Sequence, residues 1–281
     1  QLARLSSDGA VKVVAADGSL VSRPAKFKID WDASAATLGG YPDFMAKEIA
    51  EQPEALERLL AGRLTDDGIR MDELDMTPEE AAAIDRVYVV ACGTSYHVGL
   101  IARTVTEAWA KVPVIVETAS EFIYHDVLVT DHTLCVIITQ SGETADTLAA
   151  GRKMRDLGAR VFAITNVIGC TAARESDGVL YIQAGPEVCV CSTKAYTAQM
   201  VAAILLALYL AHRNGSFTYE QVAEKYHELE RVPDLVREVL KRSWQDRVAA
   251  AAFKGVSSSL FLGRGVNSTT AAEGALKLKE I

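Results

Sequence analysis

The stretch Arg86-Val87-Tyr88-Val89-Val90-Ala91-Cys92-Gly93-Thr94-Ser95 decides the fold class. Its first six residues are an almost unbroken apolar run, as expected of a strand covered on both faces of a parallel sheet. The run stops at Gly93 and passes through two hydroxyls into a helical pattern that extends to about Lys111. Pro113 bars further helix, and residues 114–116 read as the next strand. The same unit recurs in Thr133–Thr139, followed by Gln140-Ser141-Gly142-Glu143-Thr144 and a helix to about Leu157. Arg160–Thr165 and residues 178–182 bring the strands to five. Strands alternating with helices predict an α/β fold built on a parallel, doubly wound sheet with right-handed crossovers.

Upstream, residues 41–64 read as helix, with Pro53 dividing it in two, and residues 71–85 as an acidic helical connector. Residues 11–14 and 19–21 flank Asp17-Gly18 and predict a β-hairpin, followed by a linker up to Gly40. Downstream lie an apolar helix over 193–212, an amphipathic one over 218–242 and a shorter one over 244–254. Residues 258–262 then read as a strand ending in Gly263-Arg264-Gly265, with a helix from about Thr269, as if the first strand–helix step began again. The expected organisation is a remnant of a preceding domain at 1–22, a linker at 23–40, a helical lead-in at 41–75, a complete domain at 76–215, a helical connector at 216–255 and the start of a second copy at 256–281. The chain is therefore expected to be a fragment.

The 281 residues are 49% hydrophobic and 23% charged, which excludes a wholly disordered or collagen-like chain. A net charge of −8 argues against a general nucleic-acid binder. The longest apolar run, residues 200–211, is too short for a bilayer span and reads as a buried helix. Five cysteines, an odd number without a CxxC pair, point to free thiols in a reducing compartment and hence to the cytoplasm. Cys189 and Cys191 are too close for an ordinary metal knuckle, and the five histidines show no metal spacing. No metal or cofactor is expected.

In an open parallel sheet, ligands bind beyond the carboxyl ends of the strands. Two hydroxyl-rich turns lie there, Cys92–Ser95 and Thr139–Thr144, each leading into a helix N-terminus. Orphan N–H groups, the helix dipole and hydroxyls can hold a phosphate without a lysine. The bland reading makes these hydroxyls helix caps only. GxGxxG and Walker A patterns are absent, which argues against a dinucleotide or a P-loop nucleotide. A third loop, Pro186 to Lys194, joins the fifth strand to the apolar helix, and Ser192 or Thr193 can cap that helix. The histidines read as surface or capping residues. A Cys92–His97 nucleophile pair is disfavoured by its spacing, and Cys92 reads as a pocket-lining residue. By periodicity alone, Lys277 and Glu280 are a surface pair at i, i+3.

Four segments together, residues 90–97, 139–144, 191–195 and 273–280, resemble the glucosamine-6-phosphate synthase family, the isomerizing glutamine–fructose-6-phosphate aminotransferases. The first two alone resemble any sugar isomerase (SIS) domain. The resemblance implies a flavodoxin-like five-stranded sheet and a truncated second SIS copy. It implies a sugar-phosphate substrate, a glutaminase domain in the full-length chain and a homodimer, with neither nucleic acid nor membrane as partner. It places the phosphate among Ser95, Gln140, Ser141 and Thr144, with Thr139, where the family commonly has Ser, and Gly93 in the same turns. It brings Cys92, Thr94, the backbone near Val190, and Ser192 toward the sugar. Glu280 matches the base that moves a proton between C1 and C2, and Lys277 the lysine that assists ring opening. Cys189 and Cys191 stand where the family has smaller residues. Without the family's N-terminal cysteine and C-terminal lysine, the fragment is expected to bind sugar phosphate and not to turn it over alone. A non-catalytic SIS sensor would not need the 273–280 motif, and a deglycase-type relative would lack the segment before Tyr41.

Overall fold

The computed structural model describes residues 2–22, 37–242 and 244–281. Two compact units divide the chain near Asp30. In the first, β1 (Leu2–Leu5) pairs antiparallel with β2 (Val11–Val14). The expected hairpin around Asp17-Gly18 is reduced to a single Val14–Leu20 bridge. β2 takes the longer partner instead, across the turn at Ser6–Ala10, where Asp8 accepts the Ala10 N–H. Most of the expected linker, residues 23–36, lies outside the described residues.

The second unit begins with α1 (Phe44–Ala50) and α2 (Gln52–Leu60), separated where Pro53 starts the second helix. A small hairpin of β3 (Leu64–Thr65) and β4 (Gly68–Ile69) follows. A 3-10 turn at Asp72–Leu74 and the short α3 (Pro78–Ala82), capped by a Thr77/Glu80 box, replace the expected continuous connector. Then come β5 (Arg86–Ala91), α4 (Gly93–Trp109), β6 (Val114–Thr118), α5 (Ala119–Phe122), β7 (Thr133–Thr139), α6 (Ala145–Asp156), β8 (Arg160–Thr165), α7 (Thr171–Glu175) and β9 (Gly178–Tyr181). The chain continues through α8 (Lys194–Arg213), α9 (Tyr219–Glu230), α10 (Val232–Leu240), α11 (Trp244–Ala252) and α12 (Val266–Glu280). The amphipathic stretch 218–242 is two helices rather than one, because Pro233 cannot continue α9 and opens α10.

Five strands form one parallel sheet in the order β6-β5-β7-β8-β9. Successive residues of each strand enter different cores. Val87, Val89, Leu134, Val136 and Ile138 join the core shared with α2, α4 and α8. Tyr88, Val90, Cys135, Ile137 and Val161 join the one beneath α6. This two-sided burial explains the apolar runs. α8 is long and apolar enough to cross a membrane by length and composition alone, and its residues are mostly buried inside the protein. β5 is flanked by β6 on one side and β7 on the other, so the strand order reverses there. The loops after β5 and β7 leave the same end of the sheet, at the crevice where such folds bind ligands.

A second strand expectation fails. Residues 258–262 are not a strand, and Leu260 and Leu262 are almost fully exposed. Among the described residues no neighbouring strand pairs with them, and an extended segment without a ladder does not form a sheet. The helix that follows, α12, does form, and it packs against α4.

Candidate active site

The loops after β5, β7 and β9 and the last turns of α12 surround a cavity of about 230 Å³. Of the residues singled out from sequence, Cys92, Thr94, Ser95, Thr139, Gln140, Ser141, Thr144, Val190, Ser192, Lys277 and Glu280 line it. Gly93 does not, although it sits between two that do. Its positive φ of 54° turns the chain from β5 into α4. Ile138, Thr147, Glu187 and Cys189 complete the wall.

The loop after β7 is shaped by its own hydroxyls. Thr139 Oγ1 accepts the Gly142 N–H at 3.2 Å and lies 3.0 Å from Thr144 Oγ1. Ser141 Oγ accepts the Glu143 N–H at 3.2 Å, which leaves its proton for a ligand. Gly142 has a φ of 69°, and a Cβ there would come within 2.0 Å of Cys170 Sγ. The Cys92 and Thr144 side chains cap neither α4 nor α6, whose N-termini open toward the cavity. Ser95 is buried and donates to Gln199 Oε1 at 3.1 Å. The Cys92 thiol lies 3.9 Å from Thr147 Oγ1.

The loop before α8 is held by carboxylates. Glu187 Oε1 accepts the N–H groups of Thr193 and Ala195, and Oε2 accepts from the Ser192 hydroxyl. Glu187 therefore caps α8, and the expected cap by Ser192 or Thr193 is not formed. Burial outweighs these hydrogen bonds and pushes the Glu187 carboxyl above its usual range. Glu48 of α1 accepts the Val188 and Cys189 N–H groups, and Glu51 meets the buried Lys194 ammonium at 2.6 Å. All five cysteines are free thiols. Cys191 is buried, and burial raises its thiol above the ordinary value.

Opposite these loops, Lys277 Nζ donates to Glu280 Oε2 at 2.5 Å and to Thr94 Oγ1 at 2.8 Å. Thr94 in turn donates to Glu273 Oε1 at 2.9 Å, and His97 Nδ1 lies 2.6 Å from Glu273 Oε2. Burial works against the Lys277 charge, but the hydrogen bond to Glu280 and the field of Glu273 outweigh it and hold the ammonium above its usual range. Glu273 is the converse case. Burial disfavours its charge, yet the bonds from His97 and Thr94 keep the carboxyl below the usual range. Lys277 and Glu280 thus line the cavity, whereas periodicity alone reads them as a surface pair. His97 is a largely buried partner of Glu273, not a surface or capping residue. Glu187, missed as a site residue, had no local spacing to betray it, whereas Glu273, just behind the cavity wall, stands i, i+4 from Lys277. Among the described residues no group of three or more metal-ligating side chains occurs.

The SIS domain family matches residues 82–209. The isomerizing glutamine–fructose-6-phosphate aminotransferase of Clostridium acetobutylicum is 42% identical over 278 residues, covering 99% of this chain and 45% of the relative. The Mycobacterium tuberculosis protein of the same name is 47% identical over 291 residues, covering 99% and 46%. The chain spans about half the length of these curated relatives. A solved structure, the C-terminal domain of glucosamine-fructose-6-phosphate aminotransferase from Francisella tularensis, superposes with a TM-score of 0.82 at 41% identity. That match covers 87% of this chain and 69% of the other.

Proposed function

The chain belongs to the glutamine–fructose-6-phosphate aminotransferase family, in its SIS-bearing isomerase part, and from that premise we propose that its cavity binds fructose 6-phosphate for conversion to glucosamine 6-phosphate. The observation that carries the reading is the convergence of three loops and α12, far apart in sequence, on one cavity at the point where the strand order reverses.

The phosphate sits at the loop after β7. Ser141 has a free proton, Gln140 and Thr144 add polar groups, and the N-termini of α4 and α6 supply partial positive charge. This arrangement reconciles an acidic protein with an anionic ligand. The sugar extends past Cys92, Thr94, Val190 and Ser192 toward α12. There Glu280 moves a proton between C1 and C2 of the opened sugar, and Lys277 steadies the charge that develops on the enediol oxygen. Lys277 is held protonated beside Glu280, as that division of labour requires.

The same reading assigns residues 76–215 to one SIS domain and residues 256–281 to the start of a second. It places a glutaminase domain, the source of ammonia, elsewhere in the full-length protein, in line with relatives about twice as long. It makes the protein a cytoplasmic homodimer, the location supported by five free thiols.

Fructose 6-phosphate is expected to raise the thermal midpoint of the chain, and Ser141→Ala to remove most of that rise. An unchanged rise in the variant would remove the phosphate assignment.

A further inference from the structure

A continuous chain of hydrogen bonds runs from the cavity into the α4–α12 contact, from Lys277 to Thr94 to Glu273, with His97 on the far side of the carboxylate. We propose that Glu273 and His97 form a positioning pair, which sets where the Lys277 ammonium stands at the cavity edge and fixes the direction of the Thr94 hydroxyl.

Thr94 spends its only proton on Glu273 and accepts from Lys277, so toward the cavity its oxygen can only accept. The Lys277 ammonium has three donors. Glu280 and Thr94 take two, and Glu273 Oε1 lies 3.3 Å away, near the third. A lysine stem has four rotatable bonds, and these contacts select one arrangement out of many. Glu273 does not itself line the cavity. Its side chain is 6% exposed, and that of His97 14%. The pair stands behind the cavity wall and acts on a ligand only through Lys277 and Thr94.

A plain tie between two helices would not require this arrangement. A tie needs only a buried pair, whereas here one carboxylate oxygen faces both cavity groups and the other is held by His97. His97 thereby fixes the carboxylate plane and, through it, Thr94 and Lys277. The groups facing the Lys277 ammonium are Glu273 and Glu280 on its own helix, Thr94 on α4 and Cys191 in the loop before α8. Of these, Glu273 is a buried, hydrogen-bonded carboxylate that lies outside the cavity wall. Removing its charge lowers the lysine pKa. The inference rests on the proposed function only for what Lys277 faces when the cavity is filled. The placement of the ammonium can be tested without any ligand.

The test is competitive acetylation of the chain at pH 9, with the peptide carrying Lys277 read by mass spectrometry against the exposed Lys241. In the wild-type chain, Lys277 is expected to react more slowly than Lys241. Glu273→Gln should speed its labelling at least about threefold, because loss of the neighbouring negative charge leaves a larger share of the amine unprotonated. His97→Ala should act in the same direction, and His97→Asn, whose amide mimics Nδ1 as a donor, should restore the wild-type rate. A merely structural tie would leave the Lys277 labelling unmoved in folded variants. Unmoved labelling in both Glu273→Gln and His97→Ala, or failure of His97→Asn to restore it, overturns the proposal. If Glu273→Gln does not fold, the two His97 variants decide. Fructose 6-phosphate that fails to bind the wild-type chain would strike the proposed function and leave the labelling result standing. Normal binding with unmoved labelling would strike only the positioning pair.

Discussion

Glu48 Oε1 accepts the backbone N–H of Val188 at 2.5 Å, across 140 residues of sequence. The same carboxylate takes the Cys189 N–H at 3.2 Å, and Glu48 is 1% exposed. The loop it holds supplies Glu187, Cys189, Val190 and Ser192 to the cavity wall. A helix that precedes the sheet therefore shapes a loop that follows it.

Glu48→Ala would leave two backbone donors without their acceptor, at a cost of about 1–3 kcal/mol each where water cannot replace it. Amide exchange at Val188 and Cys189 should accelerate, and sugar-phosphate affinity should fall. Glu48→Gln keeps an acceptor oxygen and should fall between the variant and the wild type. Equal exchange rates at Val188 in all three proteins would show that the carboxylate does not hold the loop.

Gly142→Ala meets two obstacles. The positive φ costs about 1–2 kcal/mol for a residue with a Cβ. The new methyl would also press on Cys170 Sγ, an overpacking cost of about 1–3 kcal/mol. The thermal midpoint should drop by on the order of 5–15 °C for a domain of this size. Cys170→Ala in the same chain should recover only a part of the clash, because Cys170 Cβ stays 2.5 Å from the new methyl and the backbone strain remains.

Much of this was legible in the sequence. β5, β7 and β8 have the expected bounds, because charged residues and hydroxyl turns end each apolar run abruptly. The cavity was legible too, since the strand ends of a doubly wound sheet name their own loops. The hairpin of β3 and β4 was not, because two-residue strands carry no period. The hairpin at the start was misread because Ser7-Asp8-Gly9 and Asp17-Gly18 are both turn signals, and only pairing decides between them. Residues 258–262 have the composition of a strand but no neighbour to pair with among the described residues. His97 and Glu273 are 176 residues apart, and only the docking of α12 on α4 joins them.

The Glu273–Lys277 pair gives a defined pH dependence. Glu273 titrates below the ordinary 4.5 and Lys277 above the ordinary 10.5. A carboxyl with a lowered folded pKa stabilises above its unfolded value, and that contribution is lost as pH falls through the folded pKa. A lysine with a raised folded pKa stabilises below its unfolded value, and that contribution is lost as pH rises through the folded pKa. The pair therefore supports the fold between these limits and fails outside both. The difference in thermal midpoint between wild type and Glu273→Gln should be steady from about pH 6 to 9 and shrink below about pH 4.5. A difference that grows on acidification would contradict the assigned charges.

The proposed function requires the cavity between the loops after β5 and β7 and the end of α12 to hold a sugar phosphate. A crystal structure of the chain grown with saturating fructose 6-phosphate tests it most directly. The expected result is the phosphate within about 3 Å of Ser141 Oγ, with the sugar carbons C1 and C2 turned toward Lys277 and Glu280. A phosphate bound elsewhere on the molecule, with this cavity empty, would contradict it.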